Sequence, residues 1–169
     1  GSTLSRRLIN EGHKVVSIDN LSTGFKENIP VGVEFFLGDC SDSHIYQKIP
    51  EYHYDAIFHI AGQSSGEISF DDPIYDIKTN TESTLLLLQY ALERKCNRFI
   101  YASTMSVYGE ISSPVEEIAT CEPKSFYGVG KLASEQYLRI YEEYGINSTS
   151  LRLFNVYGPG QNLINHRQG

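Results

Sequence analysis

A tyrosine and a lysine four positions apart, Tyr127 and Lys131, stand in the run Ser125-Phe126-Tyr127-Gly128-Val129-Gly130-Lys131-Leu132. On a helix that spacing stacks both side chains on one face. An ammonium so placed favours the phenolate and lowers a pKa that starts near ~10. A phenol tuned downwards takes a proton from an alcohol or sugar hydroxyl near neutral pH and later returns it. Gly128 and Gly130 each cost roughly 1 kcal/mol in a helix interior, so two on one turn suggest that something approaches the backbone closely. Taken alone, the spacing also fits a surface tyrosine and a solvated lysine.

The surrounding chain alternates short apolar or β-branched stretches with helical ones. Residues 2–11 read as a helix with Leu4, Leu8 and Ile9 on one side and Gly12 as its stop. Strands are expected at 13–18, ending on Asp19 and Asn20, and at 33–37, closed by Gly38 and Asp39. A third at 55–60 leads into the small-residue turn 61–66. A short helix is expected near 43–49, a loop over 67–73, and a long helix over 76–95 carrying Leu85, Leu88 and Leu92. A strand at 98–103, a polar loop, the Tyr127 helix to Tyr144 and a strand at 149–154 follow, before a turn-rich loop over 155–160. This alternation predicts an α/β fold, a doubly wound parallel sheet covered on both faces. Ligands of such sheets bind at the carboxyl ends of the strands. Five strand ends carry polar or small residues there: Asp19, Asp39, His59 with Ala61 and Gly62, Ser103 with Thr104, and Asn155.

With 169 residues the chain is long enough for one domain, 1–169, with a sizeable core. A net charge of −7 and a pI near 5.2 argue against a partner in nucleic acid. Backbone N–H groups can still bind phosphate without side-chain charge. Cys40, Cys96 and Cys121 are widely spaced with no CxxC pair, which fits a reducing cytoplasm better than a disulfide framework or a zinc site. No apolar run approaches the ~18 residues of a membrane helix, and no signal peptide is visible.

A dinucleotide site places a strand, a glycine-rich turn and then a helix, with an acidic residue about 20 positions further on against the adenosine ribose. Gly1 opens directly on a helix, and Asp19 stands at that distance. If Gly1 is the last glycine of such a turn, the first strand lies upstream and the sheet has an unfilled slot. The alternative is that Gly1 is a remnant and Asp19 only ends a strand.

The ordered motifs resemble the extended short-chain dehydrogenase/reductase family, in its NAD-dependent nucleotide-sugar epimerase/dehydratase group. They are Asp19-Asn20-Leu21-Ser22-Thr23-Gly24, Gly38-Asp39, His59-Ile60-Ala61-Gly62, Asn80, Ser103-Thr104-Met105-Ser106-Val107-Tyr108-Gly109, Tyr127 with Lys131, and Leu151-Arg152-Leu153-Phe154-Asn155-Val156-Tyr157-Gly158-Pro159-Gly160-Gln161. The resemblance spans essentially the whole chain. It implies a Rossmann-like NAD-binding domain lacking its first strand and its C-terminal substrate domain. By that resemblance Gly1, Asp19, Asn20, Asp39, Cys40, Ile60, Ala61, Gly62, Asn80, Tyr127, Lys131 and Phe154 bind NAD. Asp19 favours NAD over NADP, because its carboxylate repels a 2′-phosphate. Thr104, Met105, Tyr127 and Asn155 meet a nucleotide sugar, expected to be a UDP-sugar. Tyr127 is the implied general base, Lys131 tunes it and Thr104 assists. The implied reaction is epimerisation through a transient ketone, with NAD unchanged at the end. A homodimer seam from helices 76–95 and 126–144 and a cytoplasmic location are implied as well.

Departures from the family pattern narrow the reaction. Dehydratases of this group resemble Ser-Thr-Asp-Glu-Val-Tyr-Gly where this chain has Met105 and Ser106, neither of which exchanges protons near neutral pH. The decarboxylating branch tends to carry Glu at the position of Ser106. Other readings remain: a dehydratase or decarboxylase, a non-catalytic NAD-binding regulator, or a serine hydrolase. The last would use Ser64 in Gly62-Gln63-Ser64-Ser65-Gly66 with His166. His59 reads as a strand-end histidine satisfied by hydrogen bonds, with no second metal ligand spaced to join it. Tyr137, Tyr141 and Tyr144 read as helix packing or an interface.

Overall fold

The computed structural model describes residues 1–111 and 114–161. Helix α1 (Ser2–Asn10) starts directly after Gly1. Strand β1 (Val16–Asp19) runs parallel to β2 (Glu34–Leu37), with Val16 opposite Glu34 and Asp19 opposite Leu37. A 3-10 turn over Ser43–Gln47 follows, capped by the Asp42 side chain. A second parallel sheet has the order β3-β4-β5, from β3 (Ile57–His59), β4 (Arg98–Thr104) and β5 (Asn147–Leu153). Among the described residues no ladder joins β1 to β3, so the parallel strands lie in two pieces, as the unfilled slot expected from the sequence would leave them.

The segment expected to be a loop after Ser65 is helical. Helix α2 (Gly66–Asp71) is capped by the Ser65 hydroxyl, which accepts from the Ile68 N–H. Asp72 then caps α3 (Pro73–Ile77), whose Pro73 sits where a missing N–H costs nothing. Both caps satisfy backbone donors that would otherwise be orphaned. The long helix expected over 76–95 therefore begins at Pro73. It passes through a wider π turn at Lys78–Glu82 and continues as α4 (Ser83–Glu93). Helix α5 (Phe126–Glu142) starts at Ser125, whose hydroxyl accepts from the Gly128 N–H.

Helices α4 and α5 cover one face of the larger sheet. Phe99 and Tyr101 of β4 have no exposure and cluster with Leu87, Leu88, Ala91, Leu138 and Ile146. The alternate residues, Ile100 and Ala102, are only half-buried, and α1 has no fully buried residue. Among the described residues, coverage of the sheet is therefore one-sided. Burying Leu88 stabilises the fold by roughly 1.5–3 kcal/mol before any cavity cost. Leu88→Ala is expected to lower the unfolding free energy by about 2–5 kcal/mol in urea melts, whereas Leu92→Ala, at the exposed helix end, should cost less than about 1 kcal/mol.

Candidate active site

The ends of β1 and β2 form one polar network. Asp19 Oδ1 accepts from the Leu21 N–H at 2.7 Å, and Asn20 Oδ1 accepts from the Ser22 N–H at 3.0 Å. Asn20 Nδ2 donates to Asp39 Oδ2 at 2.9 Å, and Asp39 Oδ1 accepts from Ser41 N–H and Oγ. Leu21 adopts a left-handed backbone, φ 56°, a conformation costly for a side chain of its size, and the bond to Asp19 holds it there. Burial opposes ionisation of Asp39, but its bonds from Ser41 and Asn20 outweigh that and keep its carboxyl below the ordinary range. Beside it, burial first, then Asp39 and Asp19, push the Cys40 thiol up to about 12, so it stays neutral. Gly1 is the N-cap residue of α1.

Thr104, Tyr127 and Lys131 lie together at the carboxyl end of β4. Thr104 is the last residue of β4 and caps the following 3-10 turn (Met105–Val107), accepting from the Ser106 N–H at 3.1 Å. Its side chain also acts on the Tyr127 phenol, favouring the ionised form. Lys131 is almost fully buried, with Nζ donating to the Ala102 carbonyl at 3.0 Å. That nitrogen is 4.9 Å from the Tyr101 ring centroid and 5.8 Å from that of Tyr127. The electrostatics differ from the simple expectation for this spacing. Burial pushes the Tyr127 phenol up, the Thr104 side chain pulls it down, and the Asp76 carboxylate raises it again. Burial likewise lowers Lys131 to about 8, against the opposing pull of Asp76. Desolvation is thus the largest cause for both groups.

The two glycines on this turn admit the protein's own chain. A Cβ at Gly128 would come within 2.6 Å of the Ser106 carbonyl oxygen and 2.9 Å of Pro123 Cβ. One at Gly130 would stand 3.1 Å from Thr81 Oγ1 and 3.5 Å from Asp76 Oδ2. Gly62, at φ +148°, faces the Asn80 side chain so closely that any Cβ there would collide with it. Asn80 lies in the π turn with no exposure; its Nδ2 donates to the Gln63 carbonyl and to Asp76 Oδ1. Its Oδ1 is buried without a partner. The Ile60 side chain is exposed and Ala61 half-buried beside it.

Several participants carry no signal that spacing could reveal. Glu135, one turn beyond Lys131, accepts from Ser103 Oγ and from Arg152, whose Nη2 lies 2.8 Å from Oε2. Arg152 also donates to the Glu117 carbonyl. This buried pair ties α5 to β4 and β5. Phe154 and Asn155 are exposed beyond β5, and Met105 is half-buried in its 3-10 turn; none of the three hydrogen-bonds the Tyr127 cluster through its side chain. Ser64 is exposed, and among the described residues no histidine hydrogen-bonds it; His166 lies outside the described residues. A helix begins at Gly66, as a strand-to-helix nucleophile turn would need. His59 is buried, hydrogen-bonded to Thr84 at 3.0 Å and Ser83 at 3.3 Å. No group of three metal-ligating side chains occurs among the described residues.

The model of the NAD dependent epimerase/dehydratase family matches residues 1–168. A UDP-glucose 4-epimerase of Mycolicibacterium smegmatis is 36% identical over 169 residues, covering 95% of this chain and 54% of the relative. UDP-glucuronic acid decarboxylase 1 of Xenopus tropicalis is 33% identical over 177 residues, covering 99% and 41%. Among solved structures, the UDP-glucose 4-epimerase of Thermotoga maritima with UDP-glucose superposes with a TM-score of 0.94 at 35% identity, covering 100% of this chain and 56% of that one. The Thermus thermophilus UDP-glucose 4-epimerase in complex with NAD gives 0.91 at 36%, covering 96% and 54%. The chain spans about half the length of the curated epimerase it matches.

The neutral His59 predicts a pH dependence of stability. Burial, with a smaller push from Lys131, lowers its pKa from 6.5 to about 3. The unfolded chain then binds a proton below pH 6.5 that the folded one refuses, so stability is lost as pH falls from there towards 3. His59→Gln should flatten that slope by up to roughly 1.4 kcal/mol per pH unit, read from urea melts between pH 7 and 5.

Proposed function

The chain belongs to the NAD dependent epimerase/dehydratase family, and from that premise we propose that it forms the cofactor-binding part of an enzyme that epimerises a nucleotide sugar. The observation that carries the proposal is the grouping of Thr104 and Tyr127, both buried, beside the buried Lys131 at the end of β4, with Nζ 5.8 Å from the Tyr127 ring centroid. When bound, NAD supplies reversible hydride acceptance, which inversion at an unactivated sugar carbon requires.

The residues present suit that cofactor. Asp19 Oδ2 makes no hydrogen bond among the described residues, which leaves an acceptor for a ribose diol at the end of β1, as a dinucleotide fold requires. Asn20, Asp39 and the neutral Cys40 flank the adenine end, with Gly1 at the start of α1. Ile60, Ala61 and Gly62 bring bare backbone to the middle of the site, where the unpaired Asn80 Oδ1 awaits a donor. Lys131 has three N–H donors and one carbonyl partner, so two remain for the nicotinamide ribose. Phe154 closes the far side.

Tyr127 Oη takes the proton of a sugar hydroxyl as that carbon becomes a ketone, and returns it afterwards. Thr104 orients the phenol and favours its ionised form. Lys131 supplies positive charge in a site largely shielded from water, where charge acts strongly. Met105 and Asn155 meet the sugar and its phosphates, and a UDP-sugar is the class the relatives' names support. The decarboxylase relative makes loss of carbon dioxide the second reading. Against it and against dehydration stand Met105 and Ser106, which bring no acid to the turn after Thr104.

A homodimer is proposed on an exposed apolar stripe across α2, α3 and α5. Phe70 and Phe126 pack edge to face at 5.5 Å, and both remain exposed beside Ile74, Ile77 and Val129. Patches of this kind mark association surfaces. Light scattering of the full-length protein should give twice the monomer mass, and Ile74→Glu should reduce it to one. Full-length protein given UDP-, dTDP-, CDP- and GDP-sugars should convert one to its epimer by product NMR. Tyr127→Phe should lower that turnover by about 10²–10⁴; unchanged turnover would overturn the assignment.

A further inference from the structure

Asp76 is a carboxylate with no exposure, in a position that no motif marks. Its Oδ1 accepts from Gln63 Nε2 at 2.9 Å and from Asn80 Nδ2 at 3.1 Å. Its Oδ2 is buried with no partner. Burying an acid in this manner is costly unless a charge of opposite sign stands near. The absent side chain at Gly130 brings Oδ2 against the turn of α5 that carries Lys131, since a Cβ there would lie 3.5 Å away.

The other groups around Lys131 leave it little choice of counter-charge. From β3 comes His59, neutral and hydrogen-bonded to Thr84. From β4 comes Tyr101, whose phenol burial keeps protonated. On α5 itself Tyr127 is pushed up by burial, and Glu135 is already paired with Arg152 and Ser103. Asp76 is the acid that remains.

We propose that Asp76 is a positioning residue of this site: clamped by Gln63 and Asn80, its carboxylate is the counter-charge that keeps the Lys131 ammonium in place beside Tyr127. Burial pushes the Asp76 carboxyl up, and the bonds from Gln63 and Asn80 together with the lysine's charge pull it back towards the ionised form, so the coupling to Lys131 runs both ways. The same clamp fixes Asn80 and Gln63, so one buried acid sets both the cation and the amide that adjoins Gly62. The proposal rests on reading Tyr127 and Lys131 as the proton-handling pair.

Asp76→Asn in the full-length protein tests it, because an amide oxygen can still accept both clamping bonds while the charge is gone. Lys131 is followed directly by NMR of its side-chain amine, assigned with Lys131→Met, as pH is raised. Removing the negative charge makes the ammonium easier to deprotonate, so its midpoint should fall by about one pH unit or more. The alkaline limb of the turnover profile should move down with it. A structural prop alone would lower turnover and leave the midpoint in place. Asp76→Ser, which keeps a hydroxyl acceptor without charge, repeats the measurement if the amide variant folds poorly. An unmoved Lys131 midpoint in the folded variant overturns the proposal. A shifted midpoint in a protein that epimerises no nucleotide sugar supports the coupling and overturns the reaction assigned to the site.

Discussion

Keeping a lysine ammonium inside the fold is the constraint on which the rest of this structure depends. Lys131 gives up nearly all its water and gains one carbonyl, that of Ala102. Such a charge is tolerated only where dipoles, aromatic faces and an opposite charge replace the lost solvent. Three elements supply them: β4 gives the Ala102 carbonyl and the Tyr101 ring, α5 the Tyr127 ring, and α3 the Asp76 carboxylate. The helix carrying the lysine must come close to both β4 and α3, and Gly128 and Gly130 are where side chains would prevent it.

A second buried charge pair sets the register of that approach. Glu135 and Arg152 meet across α5 and β5, with Ser103 bonded to the same carboxylate. Ser103 immediately precedes Thr104, so fixing one places the other opposite Tyr127. A pair of this kind adds little net stability once desolvation is counted, but leaving either partner alone is costly. Its contribution here is to make sliding of α5 along the sheet unfavourable, a geometric role more than an energetic one.

The sequence shows Tyr127 and Lys131 because four positions along a helix put them on one face, and it shows Thr104 as a polar residue where a strand ends. Asp19 and Asp39 are visible for the same reason, since strand ends are marked by where the apolar run stops. Asp76 and Glu135 are not, because an acid on an amphipathic helix looks the same whether it faces water or a buried arginine. Helix α2 is missed because Gly66–Asp71 is too short to display a 3.6-residue period, and the Asp72-Pro73 pair that starts α3 reads as a break. Gly128 and Gly130 do signal close approach, but composition cannot say whether a ligand or the chain itself arrives.

The π turn at Lys78–Glu82 ties these levels together. An α-helix advances about 100° per residue, and a π turn accommodates one residue more than a regular turn would. Upstream of it, Asp76 faces Gln63 and α5; downstream, Leu87 and Leu88 face the sheet. Both orientations are met only because the wider turn absorbs the angular offset between them. Straightening the helix by removing one residue would rotate the leucines off the sheet or the aspartate away from its amides. The bulge is thus the phase adjustment that lets a single helical rod serve a water-excluding core at one end and an ionised cluster at the other.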